Sequence, residues 1–199
     1  MSYSQLGQDE WVIDTLGKKP GYFVEFGATD GKDKSNTYLL EKFMGWAGIV
    51  AEPQKMWHEE LIKNRKCHID FNCVFTTTGD TVRFIEAGEF GTMADYAKAD
   101  HHYKNRENKT EYEVQTITLH DLLDKYNAPN TVDYLSIDTE GSEYAILSEY
   151  NWSRMFRTIT VEHNNTPSRE LIHELLTTKG YLQHPPHLTK WDSWYFLSA

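Results

Sequence analysis

Tyr22-Phe23-Val24-Glu25-Phe26-Gly27-Ala28-Thr29-Asp30-Gly31 is the stretch whose reading decides the fold. Apolar and aromatic residues surround one acid, Glu25, and the run ends in a turn with glycines at 27 and 31. A buried parallel strand that breaks into a glycine-containing loop and then a helix presents backbone N–H groups to a nucleotide-like ligand. Gly27 lets the chain turn sharply, and Gly31 leaves space where a ligand or helix must come close. A second apolar run, 46–51, ends at another acid, Glu52, twenty-one residues beyond Gly31. An acid at that distance suits the two hydroxyls of a ribose. The spacing is Glu-x-Gly-x-x-x-Gly, not Gly-x-Gly-x-x-Gly, which bears on the cofactor that is read.

Working outward, 199 residues make one domain, 1–199, large enough to bury its core without staples. The formal net charge of −10 and a pI near 5.3 argue against a protein that neutralises many phosphates, so no nucleic-acid partner is expected. No basic-plus-apolar leader and no membrane-length apolar run is present, so a cytoplasmic protein without membrane association is expected. Cys67 and Cys73, in one extended segment, would lie roughly 20 Å apart. Both are read as free thiols, because a disulfide needs Cα atoms within about 7 Å.

The first helix is expected over 4–16 and the first strand over 21–26. Ser35-Asn36-Thr37 caps a second helix with Tyr38, Leu39, Leu40, Phe43 and Met44 on its buried side. Strand two runs 46–51. Pro53 starts a helix to Arg65 that buries Met56, Trp57, Leu61 and Ile62. Strand three is 67–75, and an added strand covers 81–85. The pattern fails over 87–112, which reads as a long loop or lid. Thr118 begins a helix, with Asp121 closing a capping box. Strand four, 132–137, ends at Asp138-Thr139-Glu140-Gly141, and strand five, 158–161, ends at Glu162-His163-Asn164-Asn165. A helix from Thr166-Pro167 to Gly180 precedes two short runs, 181–183 and 193–197, that form an antiparallel hairpin.

Five αβ units closed by such a hairpin resemble the class I S-adenosylmethionine-dependent methyltransferases, and the residues resemble the FkbM-like branch. The matching pieces include Ser4-Gln5-Leu6-Gly7-Gln8-Asp9, 24–31, 35–42, 45–53, 133–143 and 160–164, in order along the chain. One departure is Thr29, where the usual loop has its middle glycine. The resemblance implies a Rossmann-like three-layer α/β sandwich with a mostly parallel seven-stranded sheet.

It also implies a methyltransferase that moves the methyl group of S-adenosylmethionine to an oxygen, leaving S-adenosylhomocysteine, with a small-molecule or carbohydrate acceptor. Glu25 would help place the methionine end beside the backbone of Gly27, Ala28 and Gly31, with Asn36 either touching the cofactor or capping its helix. Glu52 would take the ribose hydroxyls. Asn72 and Cys73 would lie near the adenine, and Gln8 and Asp9 would fold back over the cofactor.

An open α/β sheet gathers its chemistry at the strand tips, which selects Asp138, Glu140, Glu162 and His163 as catalytic candidates. His163 is the natural base, with a reference pKa near 6.5. Asp138 with Glu162, His163 and Asn164 could hold a divalent metal, but a histidine is less typical of Mg²⁺, so metal dependence is not favoured. Met93, Tyr96, His101, His102 and Tyr103 are candidates for an acceptor pocket. An NAD-binding oxidoreductase and a non-catalytic binding module are the alternatives. Neither the acceptor nor the oligomeric state is legible.

Overall fold

The computed structural model describes residues 2–198. In chain order its helices are α1 Gln8–Leu16, α2 Tyr38–Met44, α3 His58–Asn64, α4 Leu119–Lys125, α5 Glu143–Glu149 and α6 Ser168–Thr178. Its strands are β1 Tyr22–Phe26, β2 Ala47–Ala51, β3 His68–Asp70, β4 Cys73–Phe75, β5 Thr81–Glu86 and β6 Thr92–Met93. They continue with β7 Thr110–Thr118, β8 Thr131–Ile137, β9 Met155–Glu162, β10 Tyr181–Gln183 and β11 Asp192–Leu197.

Strands β1, β2, β8 and β9 are apolar runs buried on both faces, the pattern a parallel sheet between two helical layers requires. They form the centre of a seven-stranded sheet ordered β10-β11-β9-β8-β1-β2-β3. Only β11 runs antiparallel to its neighbours, pairing Asp192 with Glu162 on one side and Tyr181 with Leu197 on the other. The expected α/β sheet with a closing hairpin is therefore the observed one. Alternate residues of β1 serve opposite faces: Val24 and Phe26 join the larger core cluster and Phe23 the smaller one. Glu25 shares the face of Phe23, which decides its role below.

Several local expectations need correction. The run 67–75 is two strands. Asp70 Oδ1 accepts from the backbone N–H and Nδ2 of Asn72, a tight turn that ends β3 and sends β4 to another sheet. That second sheet, β4-β7-β5-β6, was not foreseen. Its long strand β7 starts at Thr110, inside the expected loop, and pairs with β5 from Gln115 opposite Thr81 to Thr110 opposite Glu86. Most of the first six residues of β7 are exposed, so no hydrophobic alternation marks them.

The helices α2 and α3 are short and bury less than expected. Leu40 and Leu61 are fully buried, but Phe43, Met56 and Ile62 are more than half exposed. Pro53 does not start a helix, because Glu52 Oε1 accepts the Gln54 N–H at 2.8 Å and keeps that residue extended. At α4 the Thr118 cap is present, its Oγ1 accepting from Asp121 N at 3.0 Å. The Asp121 carboxylate, however, accepts from Thr78, whose hydroxyl oxygen receives the Thr118 N–H.

Both cysteines are free. No helix among the described residues is long and apolar enough to cross a membrane.

Candidate active site

A cavity of about 570 Å³ opens at the carboxyl ends of β1, β2, β8 and β9. Among the expected residues, Gln8, Gly27, Asn36, Glu52, Asn72, Cys73, Asp138, Glu140 and Glu162 line it. Met93, His101 and His102 from the 87–112 segment close its outer side. Glu25, Ala28, Gly31 and His163 do not line it, and neither do Asp9, Tyr96 or Tyr103.

Glu52 ends β2 and is 1% exposed. Its Oε2 accepts from Thr29 N at 2.8 Å and its Oε1 from Gln54 N at 2.8 Å. Each oxygen keeps lone-pair capacity for one further donor. Burial pushes its carboxyl up to about 7, against the pull of those two N–H groups. Thr29 holds φ +47, the left-handed region a glycine would favour. The loop conformation therefore survives the loss of the usual glycine, and the Glu52 carboxylate is one of its anchors.

Glu25 lies beside the cavity rather than in its lining. Its carboxylate accepts from Asn36 N at 2.7 Å, from the hydroxyls of Ser35 and Thr37, and from Arg65 Nη1 at 3.3 Å. These bonds make a buried ion pair that shapes the 35–37 turn. Arg65 completes the node through Gly31 O, Thr37 Oγ1 and Glu41. Gly31 serves the same packing: a Cβ there would lie 2.4 Å from Leu61 Cδ1 and 2.7 Å from Arg65 Cγ. The N–H groups of Gly27 and Ala28 both donate to Ala51 O, at 3.1 and 3.4 Å. Asn36 does line the cavity; its Nδ2 donates to Ser136 Oγ at 2.9 Å, and its buried Oδ1 has no protein partner. Asp9 binds Ser2, Tyr3 and Ser4, whereas Gln8 reaches Asp192 Oδ2 at 2.7 Å.

At the tips of β8 and β9, Asp138, Glu140 and Glu162 bring one oxygen each within 4.8 Å of one another. Such an oxygen set has the chemistry for a hard cation. Here Arg106 Nη2 already donates to Glu140 Oε2 at 2.9 Å, and Asn164 Nδ2 donates to Glu162 Oε2 at 2.8 Å. Burial and then the charge of Asp192 push Asp138 up to about 8. Burial and Asp138 push Glu140 up to about 10, opposed by Arg106. Burial, Asp138 and Glu140 raise Glu162 well above the carboxylate range. Burial and mutual repulsion thus favour the protonated forms of all three.

His163 lies outside the cavity lining. Its Nδ1 accepts from Asn165 N at 3.0 Å, and its Nε2 is buried without a partner. Burial, then Arg169, lowers its pKa to about 4. It is a packed, neutral histidine behind the strand tip. Sequence reasoning missed Arg106, which lies where no periodicity exists. It also missed Glu143, whose carboxylate accepts from Thr139 N, Thr139 Oγ1 and Gly141 N and shapes the loop carrying Glu140.

A seven-stranded sheet in this order, with one antiparallel strand inserted beside β9 and a cavity over the tips of its central strands, defines the Rossmann-like methyltransferase class. The methyltransferase FkbM domain profile matches residues 25–184, and the chain belongs to that family. Among solved structures, the methyltransferase FkbM from Methylobacillus flagellatus KT is similar with a TM-score of 0.51 and 13% identity, over 89% of this chain and 43% of that one. The chain thus spans less than half the length of that relative. The METTL16 MTase domain is similar with a TM-score of 0.54 and 13% identity, over 98% of this chain and 68% of that one. At such identities the likeness is one of fold. No curated protein sequence matches the chain.

Proposed function

We propose that residues 1–199 form a single methyltransferase domain that moves the methyl group of S-adenosylmethionine to a hydroxyl oxygen of a small molecule or sugar, beneath a lid at 87–112. The observation that carries this reading is one cavity holding Glu52 at one end and Asp138, Glu140 and Glu162 at the other. Its volume lies within the range of about 300–1,000 Å³ common to small-ligand sites. The fit rests on Glu52, whose two oxygens each retain acceptor capacity toward a vicinal diol. The acidic lining suits a positively charged sulfonium.

S-adenosylmethionine supplies a methyl group on positively charged sulfur. Glu52 accepts the ribose hydroxyls, Asn72 and Cys73 wall the adenine side, and Asn36 faces the methionine portion through its unpaired Oδ1. Asp138, ionised, takes the proton of the acceptor hydroxyl, a role that its raised pKa favours because a stronger base is a better acceptor. Glu140 and Glu162 hold the acceptor in line with the methyl group. With net charge −10 and an acidic cavity, the acceptor is not a nucleic acid. Arg106 provides a positive charge at the carboxylates, so no divalent ion is required.

Incubation with methyl-labelled S-adenosylmethionine and a panel of sugars, polyols, phenols and a short RNA tests this reading. An acid- and base-stable methyl ether on a non-nucleic-acid acceptor is the expected product. Label on nitrogen, on carbon or on the RNA would contradict it.

A further inference from the structure

Arg106 comes from the 87–112 segment, and its side chain is 1% exposed. A guanidinium has five N–H donors in a fixed fork, and all five are used here. Nε donates to Phe90 O at 2.8 Å. Nη1 donates to Ala97 O at 3.3 Å and to Asp100 Oδ1 at 2.9 Å, and Nη2 donates to Asp100 Oδ2 at 2.9 Å. Those four bonds close the segment on itself. The fifth leaves it, from Nη2 to Glu140 Oε2 at 2.9 Å.

The receiving end is equally defined. Glu140 Oε2 also accepts from Asn164 Nδ2 at 3.3 Å, and the same amide donates to Glu162 Oε2 at 2.8 Å. Thr92 Oγ1 donates to Glu140 O at 3.0 Å, and a Cβ on Gly141 would lie 2.9 Å from Ala99 Cβ. The segment is pressed onto the tip of β8 with no slack. The fifth donor, buried like the others, finds its partner outside the segment, on the carboxylate of the acidic cluster.

We propose that Arg106 is a positioning residue of the methyl-transfer site: from the 87–112 segment it supplies the positive charge that holds Glu140 beside Glu162 and Asp138, so that docking of the lid sets the proton inventory of the acidic cluster. This rests on the function proposed above. The charged groups facing the cluster are Asp138 and Glu143 from its own loop and the helix after it, Glu162 on β9, Asp192 on β11, Glu25 on β1, and Asp100 with Arg106 from the lid. Arg106 is the cation among them. Lysine, with one compact ammonium, can keep the charge but not the five-way fork.

The test is calorimetric titration of S-adenosylmethionine into the whole chain in buffers of different ionisation enthalpy across pH, which counts protons released on binding. Wild type is expected to release protons, because an arriving sulfonium favours ionised carboxylates. In Arg106→Gln the midpoint pH of that release moves up by about one unit, and Arg106→Lys recovers part of the shift. Between the two midpoints affinity falls by up to about tenfold in Arg106→Gln, as proton linkage requires, and by less in Arg106→Lys. A purely structural role would not move the midpoint. An unchanged midpoint in folded Arg106→Gln, or binding to wild type without proton release, overturns the proposal and leaves the function standing. Should Arg106→Gln fail to fold, Arg106→Lys decides: its midpoint must lie above wild type. Failure of wild type to bind S-adenosylmethionine refutes the function itself.

Discussion

A Cβ added to Gly27 would lie 1.9 Å from the carbonyl oxygen of Asp138, so the end of β1 and the tip of β8 meet backbone to side-chain position. Gly27 also holds φ +73. Both facts forbid a side chain at the point where the central strands part to open the cavity. Gly27→Ala is therefore expected to destabilise the domain by about 2–4 kcal/mol, from left-handed strain plus overpacking. Denaturant unfolding checks it. The displaced Asp138 should also weaken cofactor binding beyond the loss of folded protein.

Glu52→Gln replaces one carboxylate oxygen by an NH₂ group facing a backbone donor. Both oxygens accept such donors, from Thr29 and Gln54, so either amide orientation opposes one N–H. Affinity for S-adenosylhomocysteine is expected to fall about 10- to 100-fold, as measured by equilibrium binding.

Glu25 and Arg65 are expected to act on stability. Arg65→Met would leave Glu25 buried without its cation, a loss of about 3–5 kcal/mol. Glu25→Gln keeps the shape and should cost less, with cofactor affinity changed only as the 35–37 turn loosens. Lost affinity in Glu25→Gln at an unchanged melting temperature would return Glu25 to the cofactor.

The acidic cluster predicts a pH trend in stability. Asp138 titrates near 8 in the folded chain against an ordinary 3.8, and Glu52 near 7 against 4.5. The folded state binds more protons than the unfolded one in that window, so stability falls as pH rises. The contribution is complete below about pH 4 and lost as pH rises through about 7–8. Urea midpoints from pH 5 to 9 should decline, and Asp138→Asn should flatten the decline. Transfer rate should move the opposite way, rising with ionisation of Asp138.

Much of the architecture was legible because apolar runs such as 22–26 and 132–137 can be satisfied only between two helical layers. Glu52 was legible for a related reason: a strand tip that follows a buried run has one place to go. What was hidden depended on partners distant in sequence. The buried partner of Glu25 is Arg65, forty residues on, which no local spacing announces. His163 has the chemistry of a base but does not line the cavity, a matter of one side chain's placement that no spacing reveals. The second sheet escaped because β7 is exposed along most of its first half. Arg106 escaped because its five partners are scattered from Phe90 to Glu140.

The most direct test of the whole account is calorimetric titration of the wild-type chain with S-adenosylhomocysteine and, in parallel, NAD⁺. The account predicts one site for S-adenosylhomocysteine, weakened by Glu52→Gln, and no heat from NAD⁺. Binding of NAD⁺ alone, or S-adenosylhomocysteine binding that Glu52→Gln leaves untouched, would contradict it.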